Sequence, residues 1–182
     1  METAPFFDDI IHDHASGAAY WLETADGVRI RIGVWPADDT ATAKGTVLLF
    51  PGRTEYVEKY AHTAEDFGRM GYATVAVDWR GQGIADRLIA DPRIGHVSAF
   101  SDFQLDVAAV IAAASELQLP QPWFLLGHSM GGCIGLRALY NDLPVQAAVF
   151  TGPMWGIQMA AALRPAAWTL GWASRKLGLS SR

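Results

Sequence analysis

An apolar run that breaks into Gly-x-Ser-x-Gly and at once into a helix-compatible run leaves few folds open to a chain. Here it reads Phe124-Leu125-Leu126-Gly127-His128-Ser129-Met130-Gly131-Gly132. A strand drives into a very sharp turn, a serine stands at its tip, and a helix leaves behind it. That is the pattern of a nucleophile elbow. The serine backbone is expected in a strained conformation, with Gly127 and Gly131 leaving room where side chains would collide across the turn. The helix amino terminus behind Ser129 favours developing negative charge. The competing reading is a glycine-rich strand–helix turn without chemistry. The apolar strand before the motif and the helix after it favour the nucleophile.

The rest of the chain supplies the sheet that such an elbow needs. Residues 19–24 and 28–35 read as strands joined at Asp26-Gly27, a strong hairpin signal. In the second strand Arg29 and Arg31 alternate with Ile30 and Ile32, which predicts arginines outward and isoleucines inward. Residues 46–50, 73–77, 123–126 and 147–151 are short apolar runs of the kind buried in a parallel sheet. Helices are expected over about 56–70, from Ser101 or Asp102 to about Leu117, and from the elbow to about Asn141. Phe103, Val107, Val110, Ile111 and Leu117 keep helical spacing in the second. Strands alternating with helices predict an α/β chain with helices on both faces of a mostly parallel sheet. Residues 1–17 read as irregular, with Phe6, Phe7, Ile10 and Ile11 available to pack on the body.

Composition excludes several classes. The chain has 182 residues, of which 51% are hydrophobic and 18% charged, enough for one domain with a real core. A net charge of −5 argues against nucleic acid as a partner. The charge is uneven: residues 153–182 carry four basic side chains (Arg164, Arg175, Lys176, Arg182) and no acidic one, so the first 152 residues carry a net −9. Cys133 is the single cysteine, so no internal disulfide forms, and burial as a small hydrophobe is expected. No CxxC or histidine cluster has metal spacing, so neither metal nor cofactor is expected. His12 and His14 read as surface residues. The amino terminus lacks a basic n-region and an apolar h-region, which predicts a cytoplasmic protein.

Four motifs together carry a resemblance: Pro51-Gly52-Arg53-Thr54-Glu55-Tyr56, Asp78-Trp79-Arg80-Gly81-Gln82-Gly83, Gly95-His96-Val97 and the elbow. In this order and spacing the chain resembles the amino-terminal part of a serine α/β-hydrolase. It is most similar to the lysophospholipase and monoacylglycerol lipase group, also grouped with serine aminopeptidase-like hydrolases. The resemblance implies an α/β-hydrolase fold with an antiparallel amino-terminal hairpin. It implies Ser129 as nucleophile, with the backbone N–H groups of Met130 and Arg53 as oxyanion hole. Many relatives begin the latter loop with His-Gly where this chain has Pro51-Gly52; the donor one residue beyond the glycine is unaffected. Haloalkane dehalogenases and epoxide hydrolases are disfavoured, because they place an aspartate where Ser129 stands.

The triad order in this fold is Ser, then Asp or Glu, then His. After Ser129 there is one carboxylate, Asp142, and no histidine. Asp142 closes the elbow helix, where a structural role is expected, so acid and base are missing from this chain. His128 beside the serine is expected to point away from its hydroxyl, and His62 and His96 have no independent support as the base. Asp78 and Arg80 are expected to shape their loop. The chain is therefore expected to be incomplete, lacking the last strands, with 147–151 as an unprotected edge open to association. Residues 1–152 form the hydrolase core in this reading, and 153–182 begin a helical lid rich in Met and Trp. That lid suits a lipid ester substrate, and its basic residues suit peripheral membrane contact. The alternative for the tail is a core-packing helix pair broken at Pro165 and Gly171. The alternative for the whole chain is a non-catalytic module that binds lipid or protein through its edge and tail.

Overall fold

The computed structural model describes residues 1–11, 17–156 and 158–178. His12, His14, Ile157, Leu179 and Arg182 lie outside the described residues. Seven strands form one sheet: β1 (Glu2–Thr3), β2 (Ala18–Glu23), β3 (Arg29–Trp35), β4 (Gly45–Phe50), β5 (Tyr72–Asp78), β6 (Trp123–His128) and β7 (Ala147–Thr151). Their order is β1-β2-β3-β5-β4-β6-β7. The first three pair antiparallel and β3 runs antiparallel to β5, while β5, β4, β6 and β7 are parallel. β1 is an addition to the expected elements. Its two residues pair with Tyr20 and Trp21, because Ala4 N–H reaches Ala19 O and draws the terminus alongside.

Helices α1 (Ala61–Arg69), α2 (Phe103–Glu116) and α3 (Met130–Tyr140) cover the sheet. α2 and α3 enclose the larger core, around Ile30, Ile32, Leu48, Phe50, Val75, Val77 and Leu125. On the opposite face α1 packs Ala61 and Ala64 against Leu49 and Ala76, joined by Trp35, Val57 and Ile11. Phe6 meets Trp35 edge-on at 5.6 Å, whereas Phe7 and Ile10 stay exposed. Phe103, Val107 and Val110 of α2 are buried, and Ile111 and Leu117 pack half-buried at the margin. The helix begins after a 3-10 turn, and Asp102 folds back to accept from Ala99 N–H at 3.0 Å.

Three expectations and one alternative reading are corrected. The stretch 56–70 is not one helix: a 3-10 turn, Val57–Tyr60, precedes α1, and within it the consecutive residues Val57 and Glu58 both point inward. Glu58 turns inward for Arg31, which is buried rather than outward. Its guanidinium donates to Glu58 Oε1 and Oε2 at 2.7 and 2.8 Å and to Asp78 Oδ2 at 2.8 Å. Cys133 is half-buried rather than in the core. The tail is not a helix pair: α4 (Leu163–Lys176) runs unbroken through Pro165 and Gly171. Pro165 sits in the first turn, where no intrahelical partner for its missing N–H exists anyway. α4 has no buried residue, and Trp168 is 80% exposed. The outer edge of β7 pairs with no strand among the described residues, and Val149 is 60% exposed.

Candidate active site

Strand order locates the site. From β4 the chain crosses through α1 to β5 on one side, then through α2 to β6 on the other. Loops leaving neighbouring strands in opposite directions open a crevice at their carboxyl ends, the usual binding place in open α/β sheets. Here those ends are Phe50, leading into Pro51-Gly52-Arg53, and His128, leading into Ser129.

Ser129 stands between β6 and α3 with φ 50° and ψ −116°. A non-glycine residue there costs about 1–3 kcal/mol and persists only where its surroundings dictate it. Three hydrogen bonds do so: Ser129 N–H donates to Thr151 O (3.1 Å), and Ser129 O accepts from Gly132 N–H (3.0 Å) and Met154 N–H (2.9 Å). A Cβ at 127 would lie 2.9 Å from Gly132 Cα, across the turn as expected. A Cβ at 131 would meet something else, the Phe50 carbonyl oxygen at 2.0 Å. Gly131 thus lets the elbow close on the end of β4.

That approach brings the two loops together. A Cβ at 52 would lie 3.1 Å from Ser129 Cβ. The loop is braced from behind, where the buried Trp79 donates through Nε1 to Pro51 O at 3.0 Å. Met130 is the first residue of α3, so its N–H has no intrahelical acceptor. Neither the Met130 nor the Arg53 N–H donates to another group among the described residues. The Arg53 side chain is exposed, with Nη2 3.5 Å from Gly95 O. Two unclaimed amides beside a serine forced to the tip of a turn are the parts needed to hold an oxyanion.

Residues 41–182 match the family described as serine aminopeptidase, S33. The chain belongs to that family. Among curated relatives of this S33 chain, lysophospholipase L2 of Escherichia coli is 43% identical over 115 residues, which is 61% of the chain and 33% of the relative. A probable lysophospholipase L2 of Haemophilus influenzae is 30% identical over 164 residues, covering 90% of the chain and 49% of the relative. A monoacylglycerol lipase of Mycolicibacterium smegmatis is 35% identical over 108 residues, covering 59% and 36%. The chain thus spans half or less of the length of these relatives. Among solved structures, DcsB in complex with its substrate analogue superposes with a TM-score of 0.72 at 23% identity, over 92% of this chain and 55% of that one. A soluble monoglyceride lipase variant of Saccharomyces cerevisiae gives 0.65 at 20% identity, over 91% and 53%. These likenesses establish the α/β-hydrolase fold.

The other titratable groups of the S33 chain divide by burial. Asp78 accepts from Arg31, from Val57 N–H (2.9 Å) and from Ile84 N–H (3.1 Å); burial pushes its carboxyl up, against the pull of Arg31. Arg80 donates to buried Asp106 (2.8 Å) and to Asp26 (2.8 Å). Burial raises Asp106 to about 6, while the Arg80 and Thr24 hydrogen bonds hold Asp26 well below the usual carboxylate range. Both clusters tie loops to strands, and none of these hydrogen bonds involves Ser129. Among the described residues that hydroxyl has no histidine or carboxylate partner. His128 lies next in sequence, but its Nδ1 is 2.9 Å from Thr151 Oγ1 and its Nε2 3.9 Å from Glu55. His62 lies on α1 and His96 in the loop before α2. Asp142 sits past the far end of α3, about 16 Å along the helix from the elbow at 1.5 Å per residue.

Glu55 and Gln82 are among the residues of the quoted motifs to which the sequence assigned no role. Both are buried at the loop carrying Arg53. Polar side chains confined within glycine-rich turns were the available signal.

Proposed function

We propose that this chain carries the nucleophile half of a serine hydrolase of carboxylic esters, of the lysophospholipase or monoacylglycerol lipase kind. The observation that carries the reading is Ser129, strained at the elbow tip beside the unclaimed amides of Met130 and Arg53. In this mechanism Ser129 Oγ attacks the ester carbonyl while a histidine takes its proton. The carbonyl oxygen becomes an oxyanion that accepts from the two N–H groups, and the alkoxide leaves, reprotonated by the same histidine. Water then releases the acid from the acyl-serine. The acid and histidine of that chemistry come from outside these 182 residues in this reading, since no histidine follows Ser129. Residues 153–182 begin a lid over the acyl pocket, and their basic residues approach anionic head groups at a membrane surface. Residues between Gly156 and Arg175 line an open cleft of about 760 Å³ among themselves, in which Met159, Trp168 and Trp172 stand with Arg164 and Arg175; no residue of the Ser129 elbow or the Arg53 loop lines it. Among the described residues no helix is long and apolar enough to cross a membrane.

The test is labelling of the protein, expressed from its full reading frame, with a fluorophosphonate probe. Labelling that disappears in Ser129→Ala is expected. A folded protein that is not labelled, or labelling that survives the substitution, overturns the reading. The second reading rests on the unpaired edge of β7 and the exposed α4: a non-catalytic module binding protein or lipid there. Rapid ester turnover by the monomeric 182-residue chain would refute it.

A further inference from the structure

Three successive amides follow the end of β4, and two of them are taken. Gly52 N–H donates to Glu55 Oε2 at 2.5 Å, and Thr54 N–H donates to Gln82 Oε1 at 2.7 Å. Only Arg53 N–H, between them, has no acceptor among the described residues. Both acceptors are fixed groups, Glu55 being 8% exposed and Gln82 5%. Glu55 also accepts from Tyr60 Oη at 2.6 Å and from Lys59 Nζ at 2.5 Å. Burial disfavours its charge, but the Lys59, Tyr60 and Gly52 hydrogen bonds outweigh burial and hold the carboxyl below its ordinary value. Gln82 stands on the loop after β5, wedged so that its Nε2 would lie 2.4 Å from a Cβ at Gly95.

The turn needs such restraint. Thr54 has φ 61°, a left-handed conformation that a β-branched residue resists. Gly52 is squeezed between the Glu55 carboxylate and Ser129, at 3.0 and 3.1 Å from where a Cβ would stand. Without a partner on either side, the peptide planes of this turn would be free to rotate and Gly52 N–H would compete for the same ligand oxygen.

We propose that Glu55 and Gln82 are positioning residues that clamp the amides flanking Arg53 and thereby aim the Arg53 N–H at the ester oxyanion. The proposal rests on the serine-hydrolase reading of Ser129. Neither side chain touches the substrate in it; each acts through the backbone.

The experiment measures kcat and KM for a short-chain nitrophenyl ester, and the inhibition constant of an alkylboronic acid, on the full-length protein. The tetrahedral, anionic boronate adduct of a serine places one of its hydroxyl oxygens where the oxyanion forms. Deleting an oxyanion donor lowers the rate about 10²–10³-fold, so misaiming one is expected to cost about 10–100-fold. Glu55→Ala and Gln82→Met each lower kcat by that factor, leave KM within about threefold, and weaken boronate binding in parallel with kcat. Glu55→Gln, which keeps an acceptor oxygen for Gly52 N–H, loses less than Glu55→Ala. If Glu55→Ala does not fold, Gln82→Met decides from the other side. Wild-type kcat in folded Gln82→Met, or a kcat loss with unchanged boronate affinity, overturns the clamp. Hydrolysis that survives Ser129→Ala overturns the underlying reading instead, and so separates the two failures.

Discussion

Replacing Gly131 by alanine tests the packing that creates the site. The added Cβ would stand 2.0 Å from Phe50 O and 2.5 Å from Pro51 O. An unstrained carbon–oxygen contact is about 3.3 Å, so the elbow and the end of β4 must part by roughly 1 Å. The obstacle is backbone, and β4 is paired on both sides, with β5 and β6, so no rotamer change relieves it. Overpacking absorbed by side chains costs about 1–3 kcal/mol, and a backbone obstacle belongs at or above the top of that range. Taking about 3–4 kcal/mol and a urea m-value of about 2 kcal/mol/M, the unfolding midpoint falls by about 1.5–2 M. The same displacement opens the gap between Ser129 and the Arg53 amide. A 1 Å misplacement can cost about 10²-fold in rate, so ester hydrolysis by the full-length protein falls at least that far even where the variant is folded. Urea unfolding followed by tryptophan fluorescence reads the first effect and steady-state kinetics the second. A midpoint within about 0.3 M of wild type would refute the argument that Gly131 sets the approach of the two loops. As a control, a Cβ at Gly171 in α4 meets nothing within 4 Å. Gly171→Ala is expected to stabilise α4 by about 0.5–1 kcal/mol, read as slower amide exchange within that helix.

Arg31→Met leaves Glu58 and Asp78 as two buried carboxylates without their shared cation. Breaking a buried ion pair in this way costs about 3–5 kcal/mol, and a loss below about 1 kcal/mol in urea unfolding would contradict the network's role. Stability should also depend on pH through Glu55, where burial pushes the carboxyl up but the Lys59, Tyr60 and Gly52 hydrogen bonds together hold it below its ordinary value in the folded state. A depressed folded value means its contribution is complete above the unfolded value and disappears as pH falls through the folded one. The stability gap between wild type and Glu55→Gln therefore narrows on acidification from about pH 6 to about pH 3, and a constant gap would argue against the assignment. Arg80→Met should loosen the hairpin end at Asp26 and the start of α2 together, since one guanidinium bridges Asp26 and Asp106. Faster amide exchange confined to one of the two would oppose that bridge.

Much of this protein is written locally. The elbow, the alternation of strands and helices, and the short apolar runs of β4 to β7 depend on residues within a few positions of one another. Periodicity, glycine placement and turn chemistry report such features directly. The edge at β7, unpaired among the described residues, was legible because the apolar strand is followed by a basic, tryptophan-rich stretch without strand-like alternation.

What stayed hidden depends on pairs far apart in the chain. Arg31 alternates with isoleucines as an outward residue should, yet it is buried, because Glu58 and Asp78 arrive from 27 and 47 residues away. Gln82 holds an amide 28 residues before it, and no local pattern marks that distance. Gly131 shows a need for space, but only the packed sheet identifies the Phe50 carbonyl as what fills it. Sequence alone determined which serine stands at the tip of the elbow, since a strand, two glycines and a helix suffice for that. Tertiary structure decided which amides lie beside it unclaimed, since that follows from the crossover placing the end of β4 next to the end of β6 and from buried side chains occupying the other donors.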